Sequence, residues 1–344
     1  METSSDGRLA GPVLPAVLAT RDARAQGVLA DVRAGYVPAA RGVHVVAGAD
    51  VTDPDVRTAV AMARVPEEVT LGGWAAARVH ERTALASVPA SGSARRRGRA
   101  GRRQEEQPWF DGVPVHGRPG DDLPVLLLAP PEVRLAAGHG RRLVRSRVAP
   151  EERVVAGGLP VTSVLRTAFD LARLGRAEDA VVGLDRLRVL GLLDAGELDA
   201  LIRRRRGWLG VAAARQALAL SADGVESPQE SRMRLVWLAA GLPVPRCNAV
   251  VLDGAGRFIG RVDVLDEGSG LVAEYDGAVH AAADRRSADA ARQERLQAAG
   301  LEVVRATSAD LATAEARARW QTRAVAAHTR ALAHRRRATW RLAG

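Results

Sequence analysis

The chain has 344 residues, too many for one ordinary hydrophobic core and enough for two or three domains. Apolar residues make up 47% and aromatics 3%, so the chain folds around cores filled by Ala, Val and Leu, and a disordered adaptor is excluded. Fifty basic against forty acidic residues give +10, and with no Lys in the chain every one of those basic side chains is Arg. A planar guanidinium grips phosphate at two points, which makes a polyanion the first partner to expect, although a GC-rich genome yields the same usage.

Cys247 is the single cysteine, which excludes an internal disulfide framework and a cysteine-built zinc site within one chain. Met1-Glu2-Thr3 lacks the basic lead-in of a secretory signal. The nearest thing to a membrane span, Leu235 to Pro245, is broken by Gly241 and Pro243, short of the ~20 apolar residues a bilayer requires. The expected location is the cytoplasm.

Along residues 1–90, Arg21 to Ala34 reads as helical and Gly42-Val43-His44-Val45-Val46 as strand. Two helices and a short wing would suit a winged helix with Arg21, Arg24 and Arg33 near phosphate; a plain helical unit suits the pattern equally. Residues 91–107 form an Arg-rich linker, in which Arg95, Arg96 and Arg97 could clamp a nucleic-acid backbone or remain solvated. Residues 108–222 read as β-rich at first, with Val125-Leu126-Leu127-Leu128, and helical from Val161, with Gly175 and Gly191 as stops. Residues 313–344 read as a basic helix carrying Arg335-Arg336-Arg337.

The chemistry concentrates in residues 223–312. Ser227-Pro228-Gln229-Glu230 opens a helix with Ser227 as cap, Pro228 at its first position and Glu230 reaching back. Glu230 also borders the face of Met233 and Trp237, where a metal ligand or water-orienting base could stand. Ala249 to Leu252, Arg257 to Asp266 and Leu271 to Asp276 read as three strands separated by Gly-containing turns. Pairing symmetric about the Gly268–Ser269 bond sets Asp263 opposite Glu274 and Arg261 opposite Asp276. All four then share one face, with Val262, Val264, Ala273 and Tyr275 on the other. Arg261 offsets only part of the repulsion among three acids, and Mg²⁺ would supply the rest while activating water on a phosphodiester; a hydrated hairpin face is the plain alternative. His280 could orient a water or shuttle a proton, or cap a loop. Asp284 to Ala299 reads as a helix whose Arg285 and Arg292 could face phosphate or pair with Asp289, and Leu301 to Arg305 as a final strand.

This order of helix, three strands, helix and strand, with Glu230, Asp263, Glu274-Tyr275-Asp276-Gly277, His280 and Asp289 to Arg292, resembles the endonuclease-like domains allied to very-short-patch-repair endonucleases in the PD-(D/E)XK superfamily. The likeness covers roughly Glu226 to Asp310. It implies an α+β multidomain chain with a restriction-endonuclease-like αβββαβ core, and Mg²⁺ or Mn²⁺ held by Asp263, Glu274 and Glu230. Asp276 stands where the superfamily usually has Lys, which leaves proton handling open among Asp276, His280 and bulk water. Gly157-Gly158-Leu159-Pro160-Val161-Thr162-Ser163, followed by Arg166 to Asp170, is similar to actinobacterial proteins that join an abortive-infection (AbiEi-type) antitoxin-like region to such a domain. That likeness implies a toxin–antitoxin-type protein partner and brings no catalytic residues.

The resulting expectation is a metal-dependent DNA endonuclease or nicking enzyme, with Asp263, Glu274, Asp276, His280 and Glu230 at its centre. Arg261, Arg285, Arg292 and Arg95 to Arg97 would lie on DNA. A non-catalytic DNA-binding regulator that retains the nuclease fold is the alternative, and a protein-binding module is a third reading.

Overall fold

The computed structural model describes residues 16–87, 109–115, 120–138, 140–277, 283–335 and 338–343, with backbone alone for 283–289. It is a mixed α/β protein with twelve α-helices and three sheets among the described residues. Arg95, Arg96, Arg97, His280 and the side chain of Arg285 lie outside them.

The chain opens with β1 (Val17–Ala19), α1 (Thr20–Ala25), α2 (Leu29–Gly35), β2 (Tyr36–Ala40) and β3 (Val43–Val46), whose strands form an antiparallel sheet ordered β1-β3-β2. Leu18, Ala23, Val28 and Val32 fill the space under it. The two helices and β3 match the sequence reading, but the plain helical alternative does not hold. The added strands are hard to read locally. β1 is three residues long, and β2 contains Pro38, which cannot donate to a ladder and is tolerated because β2 is an edge.

After α3 (Pro54–Met62), capped by Asp53 through the amides of Asp55 and Val56, come β4 (Thr70–Gly72) and α4 (Gly73–Ser87). β4 is the middle strand of a sheet ordered β6-β5-β4-β8-β7, with β5 (Val125–Ala129), β6 (Arg141–Arg145), β7 (Arg153–Ala156) and β8 (Leu159–Thr162). Chain from both sides of the Arg-rich segment therefore builds one sheet. All five residues of β5 are buried, as a continuous apolar run in an interior strand requires.

Gly157 and Gly158, at φ 57° and 75°, turn β7 into β8, a conformation side chains resist. Ser163 caps α5 (Val164–Leu174), and inside that helix Arg166 is fully buried between Asp170 Oδ2 at 2.9 Å and Glu152 Oε2 at 2.8 Å. The Gly157-to-Asp170 motif is thus a hairpin turn, a cap and a buried charge cluster. α5 stops at Gly175, and α6 (Ala177–Val189), α7 (Ala195–Arg204) and α8 (Val211–Leu220) close around Phe169, Leu184, Leu187, Leu198 and Ile202.

The last third runs α9 (Pro228–Ala239), β9 (Arg246–Leu252), β10 (Phe258–Leu265), β11 (Leu271–Tyr275), α10 (Ala283–Ala298) and β12 (Glu302–Ala306), the order read from the sequence. It continues through α11 (Ser308–Ala312), α12 (Ala314–His334) and β13 (Arg341–Leu342). Its sheet is ordered β12-β11-β10-β9-β13, parallel between β11 and β12 across α10 and antiparallel elsewhere. Met233 and Trp237 of α9 and Trp320 of α12 pack with Val264 and Ala273; Leu296 of α10 and Trp340 pack with Val262, Leu265 and Val272. The basic segment after Asp310 is therefore part of a core. α12 buries Trp320, Ala324, Ala327 and Ala331, while Arg317 pairs with Glu178, Arg323 with Asp310 and Arg330 with Glu302. Among the described residues no helix is long and apolar enough to cross a membrane.

A buried polar junction ties α6 to α9. Asp185 accepts from Arg234 Nη2 at 2.8 Å, Ser231 Oγ at 2.8 Å and the Ala222 amide at 2.7 Å. Burial pushes its carboxyl above the usual range, with Arg234 pulling the other way. Replacing Asp185 by Ala strands the buried Arg234 charge. The expected loss of unfolding free energy is about 3–5 kcal/mol, read as a lower urea midpoint; an unchanged midpoint contradicts the junction's role.

Candidate functional site at the β10–β11 opening

The site begins with a turn. The Asp266 amide donates to the Leu271 carbonyl at 2.9 Å, while its side chain accepts from the Gly268 and Ser269 amides at 3.0 and 3.1 Å and from Ser269 Oγ at 2.5 Å. This fixes the pairs Val264↔Ala273 and Leu265↔Val272, the register symmetric about Gly268–Ser269 that the sequence predicts. In that register Asp263 and Glu274 fall at a non-hydrogen-bonded position, where facing side chains approach most closely.

The next ladder bond should run from the Tyr275 amide to the Val262 carbonyl. Pairing instead ends at Val264↔Ala273, and Tyr275 N–H donates to Asp263 Oδ2 at 2.8 Å. On the other side, pairing with β9 passes from Val262↔Ala249 to Val264↔Cys247 without Asp263 and Asn248. Asn248 has φ 49°, and it is the sole non-glycine with positive φ among the described residues; Asn tolerates that left-handed region better than most side chains. The ladder with β11 thus ends beside Asp263, while the pairing with β9 skips it and resumes in the same register.

This irregularity corrects the expected faces. Strict alternation would put Val262 and Val264 together, yet Val262 packs in the cluster of Leu296 and Val264 in the cluster of Met233 and Trp237. Alternation slips at the Asp263–Asn248 step. Arg261 consequently pairs with Glu226, just ahead of α9, through Nη1–Oε1 at 2.6 Å and a second Nη2–Oε2 contact, and does not face Asp276.

The acids have protein partners. Glu274 is buried, and Arg292 Nη2 donates to its Oε1 at 2.5 Å while Arg292 Nη1 donates to the Arg261 carbonyl at 3.2 Å. Arg292, expected on phosphate, is turned inward. Asp276 is exposed and lies 3.6 Å from Arg305 Nη1, and Arg305 also donates to Gln293 Oε1 at 2.9 Å. Arg305, adjacent to Glu274 in the parallel ladder, has no site role in the sequence reading because only the pairing of β11 with β12 brings it there.

Glu230 takes its cap bond from Ser227, whose Oγ accepts the Glu230 amide at 3.1 Å. Its carboxylate reaches back to the Glu226 amide at 2.9 Å, one residue before the predicted cap, and accepts from Asn248 Nδ2 at 2.8 Å. Asn248 also donates to the Gly224 carbonyl at 2.7 Å. Nothing in the local pattern of Cys247-Asn248-Ala249 signals that bridging role.

Among the described residues no three His, Cys, Asp or Glu side chains are grouped so as to hold a metal ion. Of the expected set of Asp263, Glu274 and Glu230, Glu230 is hydrogen-bonded to the start of its helix and to Asn248. Two carboxylates still suit Mg²⁺, which keeps several waters and takes its remaining ligands from substrate phosphate. The positive charge that seemed to require a dication comes in part from Arg292 and Arg305. A cavity of about 220 Å³ walled by Trp74, Trp109, Phe110 and Leu171 lies elsewhere and shares none of these residues.

The chain is similar to two proteins from two strains of Mycobacterium tuberculosis, each described as uncharacterized; both are 29% identical over 191 residues, or 55% of this chain and 69% of theirs. No protein-family model matches the chain, and no solved structure matches it.

Burial raises the Glu230 carboxyl above its ordinary value of 4.5, against the pull of the Glu226 amide and Asn248. The folded state therefore holds this proton more tightly than the unfolded chain, so the group's contribution to stability is greatest below 4.5 and falls as pH rises toward the raised value. Glu230→Gln keeps an acceptor for both donors and cannot ionise. Urea midpoints measured from pH 4.5 upward should fall less steeply for this variant than for wild type; parallel curves would show that Glu230 does not titrate in a buried setting.

Proposed function

We propose that this protein is a metal-dependent DNA endonuclease or nicking enzyme whose centre is the opened end of the β10–β11 ladder. The observation that carries the reading is the replacement of a ladder bond by Tyr275 N–H to Asp263 Oδ2, beside buried Glu274. A sheet gives up pairing at little cost only where side chains take over its polar groups, and here the side chain that does so is an acid bound to the amide of the residue after Glu274.

Asp263 and Glu274 would hold Mg²⁺ or Mn²⁺. Such an ion activates a water and offsets charge on the departing oxygen of a phosphodiester. The Tyr275 amide fixes the Asp263 carboxylate, and Arg292 fixes that of Glu274. Asp276, exposed two residues beyond Glu274, would take a proton from the attacking water, a role it would share with His280. Arg261 would contact phosphate only by releasing Glu226. The helix pair and hairpin at the N-terminus, with Arg21, Arg24 and Arg33 exposed, would add a DNA-gripping unit of the winged-helix kind.

The non-catalytic DNA-binding regulator is favoured by a different observation. Arg292 and Arg305 already partner Glu274 and Asp276, so the acids are tolerable without a dication.

Supercoiled plasmid incubated with the protein and Mg²⁺ should become nicked or linear, and Asp263→Ala should reduce cleavage to the level seen with chelator. Equal cleavage by wild type and variant would remove the assignment. DNA retardation without any cleavage, unchanged by Asp263→Ala, would select the regulator.

A further inference from the structure

We propose that Arg292 is a positioning residue for Glu274 and not a phosphate ligand, an inference that rests on the metal-dependent reading of the site. The guanidinium spans two strands: one arm holds Glu274 Oε1 on β11 at 2.5 Å, the other the Arg261 carbonyl on β10 at 3.2 Å. It therefore bridges the strands at the place where the ladder between them has ended. Its side chain is 12% exposed and that of Glu274 is 5% exposed, so the charge is directed into the protein and away from any nucleic-acid backbone.

The fold makes room for this reach. Gly260 on β10 lies under the Arg292 stem, and a Cβ there would meet Arg292 Cδ at 3.1 Å and Nη1 at 3.3 Å. Alanine at 260 would force the Arg292 side chain to shift by a few tenths of an ångström, straining its hold on the two acceptors. Lys cannot reproduce the arrangement, because its compact ammonium lacks the planar fork that reaches both oxygens. With Oε1 tethered, Glu274 is held in one orientation, as the hydrogen-bonded carboxylates that support metal sites are. The alternative role for a cation at this spot is competition, in which Arg292 would have to leave before a metal could bind. The two roles predict opposite signs.

The experiment is calorimetric titration of Mn²⁺ into the full chain, without DNA, for wild type, Arg292→Gln, Arg292→Lys and Gly260→Ala. A positioning role predicts affinity reduced roughly 10–100-fold in Arg292→Gln, partly recovered in Arg292→Lys and reduced in Gly260→Ala. In a Glu274→Gln background, Arg292→Gln should have no further effect on Mn²⁺ affinity, a coupling that a general loss of stability would not produce. DNA retardation in chelator should be the same for wild type and Arg292→Gln. Unchanged or tighter Mn²⁺ binding in the Arg292 variants overturns the inference, as does DNA binding weakened in chelator with Mn²⁺ affinity intact. Should Arg292→Gln fail to fold, Arg292→Lys and Gly260→Ala carry the same test. Absence of Mn²⁺ binding by wild type overturns the metal reading itself, and this inference with it.

Discussion

One hydrogen bond organises the C-terminal third: the Tyr275 amide gives its proton to the Asp263 carboxylate where regular pairing would give it to the Val262 carbonyl. A buried amide must have a partner, so β10 and β11 can separate only if something replaces the lost ladder bond. Asp263 does so with its own side chain. The Asp266 turn fixes the register from one end, and the Asn248 backbone, at positive φ beside Asp263, loosens the pairing with β9. Glu274, Asp276, Arg292 and Arg305 are brought to the opening by these two constraints.

Charge is handled the same way throughout the chain. Without Lys, the buried acids Glu81, Asp170, Asp185 and Glu274 each take an Arg, whose fork can reach two acceptors at once. Arg166 joins Asp170 and Glu152, Arg234 joins Asp185 and the Leu220 carbonyl, and Arg292 joins Glu274 and the Arg261 carbonyl. Part of the positive charge that suggested a polyanionic partner is thus spent on internal acids. The arginines of α12 are engaged at the surface instead: Arg317, Arg323 and Arg330 pair with Glu178, Asp310 and Glu302 of other elements while the helix buries Trp320. Net charge alone therefore overstates the surface available to nucleic acid.

The segment from Ser227 to Arg305 was largely legible because its signals are local: a Ser cap followed by Pro, Gly-containing turns of fixed length, and alternation within short strands. Register followed from the Gly268–Ser269 turn for the same reason. The faces were not legible, because alternation assumes unbroken pairing and cannot anticipate a left-handed Asn248. Nor was the direction of Arg292, since a stripe on an isolated helix does not reveal which side meets the sheet. β2 was hidden by Pro38, and β4 by its brevity; both are strands because of the neighbours they pair with. The Gly157-to-Asp170 motif was visible as a pattern, but its cause, a turn feeding a cap and a buried Arg, belongs to packing.

On the function proposed above, the opened ladder would be a metal-holding end and not a defect closed by arginine. Anomalous diffraction from crystals of the full chain soaked in Mn²⁺ tests it most directly. The account predicts a peak bonded to carboxylate oxygens of both Asp263 and Glu274, with Tyr275 N–H still on Asp263 and Arg292 still on Glu274. A closed ladder with the Tyr275 amide on the Val262 carbonyl, or density without a manganese peak between the two acids, would contradict it.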